Sequence, residues 1–203
     1  LLGDAVQYCE PVIKILAETR WFKMGAERKL FELTEIRQGE TLQLIWKNGG
    51  VEWKNAVSQL VPDTAQKNST YGSIHFLTPL RIRRKGSLLL TVDFPTIIRN
   101  ITRRMSDLTE RYGGYVDFAE IETLQYLSEM VQEVSSGVYL NNIDRYSTRR
   151  NMKMDLSGLM GAMTFQGELS VFTPWLNAAS VLHIGRNVTF GCGKIDVVFG
   201  NIE

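Results

Sequence analysis

Phe94-Pro95-Thr96-Ile97-Ile98-Arg99-Asn100-Ile101-Thr102-Arg103-Arg104-Met105-Ser106-Asp107-Leu108 is the stretch on which the fold turns. Phe94, Ile97, Ile98, Ile101, Met105 and Leu108 recur at spacings of three and four, so they share one face of a helix, predicted here over Phe94 to Arg111. Such a helix needs an apolar surface to lie on. Upstream, Ser73 to Ile82 reads as a strand that continues past a bend to Leu90. Downstream, Phe118, Ile121, Leu124, Leu127, Met130 and Val131 predict a second helix over Asp117 to Val134. Gly137 to Tyr146 and Leu159 to Leu169 follow as a central strand pair, joined by the basic stretch Thr148 to Leu156. Pro174 to Leu182 is the last helix and Phe190 to Phe199 the last strand. Taken in order, these elements form an α+β, ferredoxin-like (RRM-like) βαββαβ unit with one inserted helix on an antiparallel sheet.

The first part of the chain is separate from this unit. Asp4 to Arg20 permits a helix through Val6, Val12, Ile13 and Leu16, with Pro11 as a kink or restart. Lys29 to Glu35 alternates roughly as a strand, and Leu42 to Trp46 is another, closed by the turn Asn48-Gly49-Gly50. The polar segment Pro62 to Asn68 marks a boundary. Residues 1–68 are therefore expected to be the end of a first domain plus a connecting segment, and 69–203 the main domain.

Composition excludes several classes. With 203 residues, 44% hydrophobic, the chain is long enough for one substantial core. A net charge of +1 argues against a uniformly basic surface, yet the cations are clustered: Arg81, Arg83, Arg84 and Lys85, then Arg99, Arg103 and Arg104, then Arg145, Arg149, Arg150 and Lys153. Each run taken alone reads more readily as a solvated face than as a binding surface. Cys9 and Cys192 stand far apart with no metal-ligand spacing, so neither a disulfide framework nor a metal site is expected, and a reducing cytoplasm fits. No apolar run reaches the ~20 residues that span a bilayer. A nucleotide-binding Gly-x-x-x-x-Gly-Lys-Ser/Thr loop is absent, and no cofactor is expected.

The chemistry-bearing segment is Thr173-Pro174-Trp175-Leu176-Asn177-Ala178-Ala179-Ser180-Val181-Leu182-His183-Ile184-Gly185-Arg186, continuing to Gly191-Cys192-Gly193-Lys194. Thr173 reads as an N-cap with Pro174 at the first helical position, and Gly185 as the left-handed residue that ends the helix. His183 then lies among Gly185, Gly191 and Gly193, whose bare backbone would admit a phosphate. Capping of the helix C-terminus is the competing reading for His183. For His75, set between apolar neighbours, a half-buried strand histidine is the simpler account.

Arg145-Tyr146-Ser147-x-Arg149-Arg150, the Gly158 and Gly161 strand entry, the Trp-bearing helix, His183-x-Gly185-Arg186 and Phe190-Gly191-x-Gly193-Lys194, in that order, resemble the C-terminal domain of the CRISPR-associated endoribonucleases that process precursor crRNA, members of the RAMP superfamily. The resemblance covers Tyr71 to Val198, and more loosely Leu1 to Leu33, where a second glycine-rich run of the family is reduced to Met24-Gly25-Ala26-Glu27-Arg28. It implies two ferredoxin-like halves, CRISPR repeat RNA as partner, other effector subunits as further partners, no membrane, and cleavage without metal that leaves a 2′,3′-cyclic phosphate. Such cleavage needs a base, an acid and cations about the phosphate. His183 is the natural acid or base, with Lys194 and Arg186 on the phosphate and Tyr146 as proton donor, stacking group or packing residue. Arg145, Arg149, Arg150 and Lys153 are read as RNA contacts, since guanidinium pairs with phosphate. Gly185, Gly191 and Gly193 would line the backbone path, and Arg81 and Arg83, taken to point to one strand face, would carry RNA across the sheet. The alternative function is a non-catalytic RAMP subunit that holds crRNA by the same loop.

Overall fold

The computed structural model describes residues 3–25, 27–39, 41–57, 69–147 and 151–201. They group into two units, Leu1–Leu60 and Val61–Glu203.

In the first unit a 3-10 turn, Gly3–Tyr8, precedes α1, Cys9–Thr19, so Pro11 sits in the helix's first turn, where its missing N–H costs nothing. Strands β1, Trp21–Met24, and β2, Lys29–Glu32, pair as a hairpin. A second small sheet joins β3, Glu35–Arg37, β4, Leu44–Lys47, and β5, Gly50–Val51. The strand expected over Lys29 to Glu35 is thus divided between two sheets, and β1 was not anticipated. Ile13, Ile45 and Trp46 form this unit's buried centre.

The second unit opens with β6, Tyr71–Leu80, and a two-residue hairpin, β7, Arg83–Arg84, with β8, Ser87–Leu88. Helices α2, Phe94–Tyr112, and α3, Phe118–Ser128, follow, then β9, Gln132–Ser136, and β10, Tyr139–Asn141. Next come β11, Asp144–Ser147, β12, Met152–Asp155, β13, Gly158–Gln166, α4, Thr173–Leu182, and β14, Ile195–Gly200. The main sheet runs β10-β13-β6-β14, with β9 also on β13, and every pairing is antiparallel. Counting β9 and β10 as one interrupted strand, this is the 4-1-3-2 order of a βαββαβ ferredoxin-like domain. Ile74, Phe76 and Leu80 of β6 and Leu159, Met163 and Phe165 of β13 alternate onto one face, where they meet Phe94, Ile97, Ile98, Ile101 and Met105 of α2 and Leu176 of α4. Phe94 packs its ring on Phe165 at 4.9 Å and edge-on to Phe172 at 5.0 Å. Asp93 caps α2 by accepting from the Thr96 amide at 2.8 Å.

Several boundaries differ from the sequence reading. The first strand stops at Leu80 instead of running on to Leu90. The second helix ends at Ser128 and not at Val134, because the amides and carbonyls of Gln132–Ser136 are taken by β13. The centre of the sheet is β6 with β13; Gly137 to Tyr146 supplies an edge strand and half of a separate hairpin. Within the expected connection Thr148 to Leu156, Met152–Asp155 is a strand paired with β11. Thr173 is the first residue of α4 and donates its hydroxyl to the Leu169 carbonyl at 3.4 Å, so it is not the N-cap. The last strand starts at Ile195; Val188–Phe190 is a 3-10 turn. Among the described residues no helix is long and apolar enough to cross a membrane.

Candidate RNA interface and active site

His183 is the residue at which α4 stops. Its amide donates to the Ala179 carbonyl at 2.9 Å, and its backbone then turns to φ 56°, ψ 157°, a region that L side chains rarely occupy. The imidazole Nδ1 lies 3.1 Å from the Cys192 carbonyl. A carbonyl only accepts, so Nδ1 carries the proton and, in the neutral ring, Nε2 offers its lone pair. Among the described residues none bonds Nε2. Burial pushes the Cys192 thiol up, and it is the Cys192 backbone carbonyl that orients the ring.

Cations collect on the exposed carbonyls of this helix end. Lys194 Nζ donates to the Ser180 carbonyl at 2.6 Å, and Arg104 Nη2, reaching from α2, to the Leu182 carbonyl at 3.4 Å. Arg104 Nε is buried without a partner. The ammonium of Lys194 keeps further donors free for a ligand.

The glycine loop is laced to the end of β6. Ile184 donates to Gly193, Gly193 to Pro79 and Arg186 to Arg81, at 3.0, 3.1 and 2.8 Å. A Cβ at Gly185 would stand 2.6 Å from the Arg81 carbonyl, and one at Gly193 would overlap the Ile184 carbonyl. These two glycines therefore let backbones cross closely. Around Gly191 the space is open, and its φ of +84° is the left-handed end of the Val188–Phe190 turn.

Arg81 is 3% exposed. Its guanidinium donates to the Ser157 carbonyl, to Asp155 Oδ2 at 3.1 Å and to Asn187 Oδ1 at 3.2 Å, tying the loop to the turn between β12 and β13. The expectation that Arg81 and Arg83 share an open strand face is corrected here: Arg81 is an internal strut with its donors committed to protein, and Arg83 is exposed in the β7–β8 hairpin beyond the strand. Asp155 is held down to about 2 by hydrogen bonds from Ser157 and then from Arg81.

The β11–β12 hairpin reaches the same end of the sheet. Arg145 stacks over the Phe190 ring at 5.0 Å, placing a hairpin cation and a loop aromatic together. Tyr146 lies opposite Lys153 in the hairpin register, both exposed, and its hydroxyl donates to Asn151 Oδ1. Arg186 is exposed. Arg149 and Arg150 lie outside the described residues. His75 is half-buried on the sheet face away from the helices, with Nε2 3.1 Å from the Ser73 hydroxyl. Sequence reasoning gave no site role to Cys192, Arg104, Asn187, Asp155 or Phe190, though Arg104 stood in a basic run and Phe190 opened the Phe-Gly-x-Gly-Lys motif. Phe190 alone carried a readable signal, as an aromatic beside the glycines.

The order of sheet and helices has counterparts among known proteins. No curated protein matches the sequence. A Cas6 (TTHA0078) product complex is similar at 15% identity and a TM-score of 0.58, over 98% of this chain and 74% of that one. A partial Cas6-RT-Cas1–Cas2 complex is similar at 12% identity and a TM-score of 0.57, over 96% and 34%. The Thermus thermophilus Cas6 (TTHB231) product complex is similar at 12% identity and a TM-score of 0.51, over 67% and 54%, so this chain spans about half of that protein's length. At these identities the likeness is one of fold. The family model for the CRISPR-associated endoribonuclease Cas6 matches residues 74–195, from the first strand of the sheet to the start of the last, and the chain belongs to that family.

Proposed function

We propose that this chain takes part in CRISPR RNA processing as an endoribonuclease that binds repeat RNA and cleaves it without metal, leaving a 2′,3′-cyclic phosphate. One observation carries the reading: His183 is fixed through Nδ1 by a backbone carbonyl, leaving Nε2 available, beside Lys194 on the same helix end. In this reading Nε2 takes the 2′-hydroxyl proton or returns one to the departing 5′-oxygen, and Lys194 and Arg186 balance the charge on the phosphate. Arg145, Phe190 and Lys153 hold the flanking RNA, the arginine by phosphate pairing and the phenylalanine by stacking. The domain engaged is 69–203. Family membership and the product-bound relatives support RNA as the partner.

The test is single-turnover cleavage of repeat RNA in chelator, with and without a 2′-deoxy residue at the cut. The deoxy substrate should not be cut. His183→Ala should slow cleavage by about 10²–10⁴-fold with RNA affinity retained. Full activity in that variant would move the chemistry away from this loop. A second reading, a non-catalytic subunit that grips crRNA, is favoured by the Lys194 bond to Ser180, which is also how a lysine simply caps a helix.

A further inference from the structure

The surface of α3 remains unexplained by RNA chemistry. Its inward side buries Leu124 and Ser128 against the core. Its outward side carries exposed aromatic rings: Phe118 and Tyr126 are 72% and 66% exposed, and Tyr115 and Met130, just beyond the helix ends in sequence, are exposed as well. Phe118, Glu122, Tyr126 and Glu129 recur at spacings of four, four and three, so aromatic rings and carboxylates alternate along one stripe. Large aromatic rings left exposed on the outer side of a helix whose other side is already packed mark an interaction surface.

The charges say what covers it. From Tyr112 through Asp144 the chain holds Asp117, Glu120, Glu122, Glu129, Glu133 and Asp144 and no Lys, Arg or His, although its net charge is +1. Glu120 is engaged by Trp175 Nε1 at 3.0 Å, whereas among the described residues Glu122, Glu129 and Glu133 have no ion pair. Phosphate would be repelled from this stripe, which disfavours RNA. A second copy packed symmetrically, α3 on α3, would bring Glu122 and Glu129 against their own images.

We infer that the outer face of α3 is a docking surface for a second protein that presents arginine or lysine side chains around an apolar centre. Tyr115, Phe118 and Tyr126 would fill that centre as low-entropy aromatic anchors, and Glu122 and Glu129 would set register and speed encounter.

The experiment places the photo-crosslinking residue p-benzoylphenylalanine at Tyr126 of the full chain in its native cells. The crosslinked protein is then purified and titrated against wild type, the pair Glu122→Lys and Glu129→Lys, and the pair Phe118→Ser and Tyr126→Ser. All four positions are exposed, and each variant's melting temperature is checked against wild type. The expected result is an adduct with a different protein whose affinity falls at least tenfold in both variants and weakens with salt. A lack of adduct, an adduct with RNA or with another copy of this chain, or a partner indifferent to the charge reversal would each overturn the inference.

Discussion

Arg81 shows how a single residue changes meaning between sequence and structure. In the sequence it opens a basic run; in the fold it is a buried strut whose partner Asp155 titrates at about 2. The sign of the consequence follows from that depression. Asp155 contributes stability that is fully present above its unfolded value near 4 and is lost as pH falls through about 2. Since the carboxylate is half-exposed, its contribution is modest. Acid unfolding of Asp155→Asn should therefore depend less steeply on pH between about 4 and 2 than that of wild type. Equal slopes would show that the pair is not formed in solution. His183, by contrast, was legible as a site candidate from its glycines. Its ring orientation was not, because the Cys192 carbonyl that fixes it is a backbone group invisible to side-chain patterns.

At the scale of the element, α2 was the most readable part of the chain, since its apolar residues repeat over about four turns and most of them are buried in the core. Its start is set by Asp93, whose carboxylate accepts from the Thr96 amide. Asp93→Ala should cost about 1 kcal/mol, or a melting temperature lower by about 3 °C in a chain of this size, as thermal denaturation would read. No change would mean the cap is replaced by water. The strands were read less well, for a physical reason. Residues 132–136 continue a helix-compatible pattern from α3, and only pairing with β13 diverts them into a strand. The hairpin β11–β12 was missed in its second half because its side chains are mostly exposed and carry no burial alternation.

At the scale of the whole molecule, the cations assigned to RNA in the proposed function come from the β11–β12 hairpin and the glycine loop of the second unit. Arg145, Lys153 and Arg186 are exposed, and Arg145 lies over the Phe190 ring. RNA affinity should fall steeply with salt, and Arg145→Ala and Lys153→Ala should each flatten the slope of log K against log salt by about 0.7. An unchanged slope would put those side chains off the RNA path. The ferredoxin-like order was legible from the succession of elements. Which strands are central was not, since neighbouring positions in a sheet are decided by pairing between residues far apart in sequence, such as Gly200 with Tyr71.

The backbone of His183 points toward drift and inheritance. At φ 56°, ψ 157° glycine is the residue that random substitution would favour, and a histidine persists there only at a cost of about 1–3 kcal/mol in the folded state. His183→Gly should consequently melt above wild type while losing cleavage, whereas Asn or Ala at the same position would recover less of the strain. A lineage that no longer needed the imidazole would be expected to trade it for glycine and grow sturdier. In the proposed function the imidazole at this position serves cleavage against what the backbone would prefer.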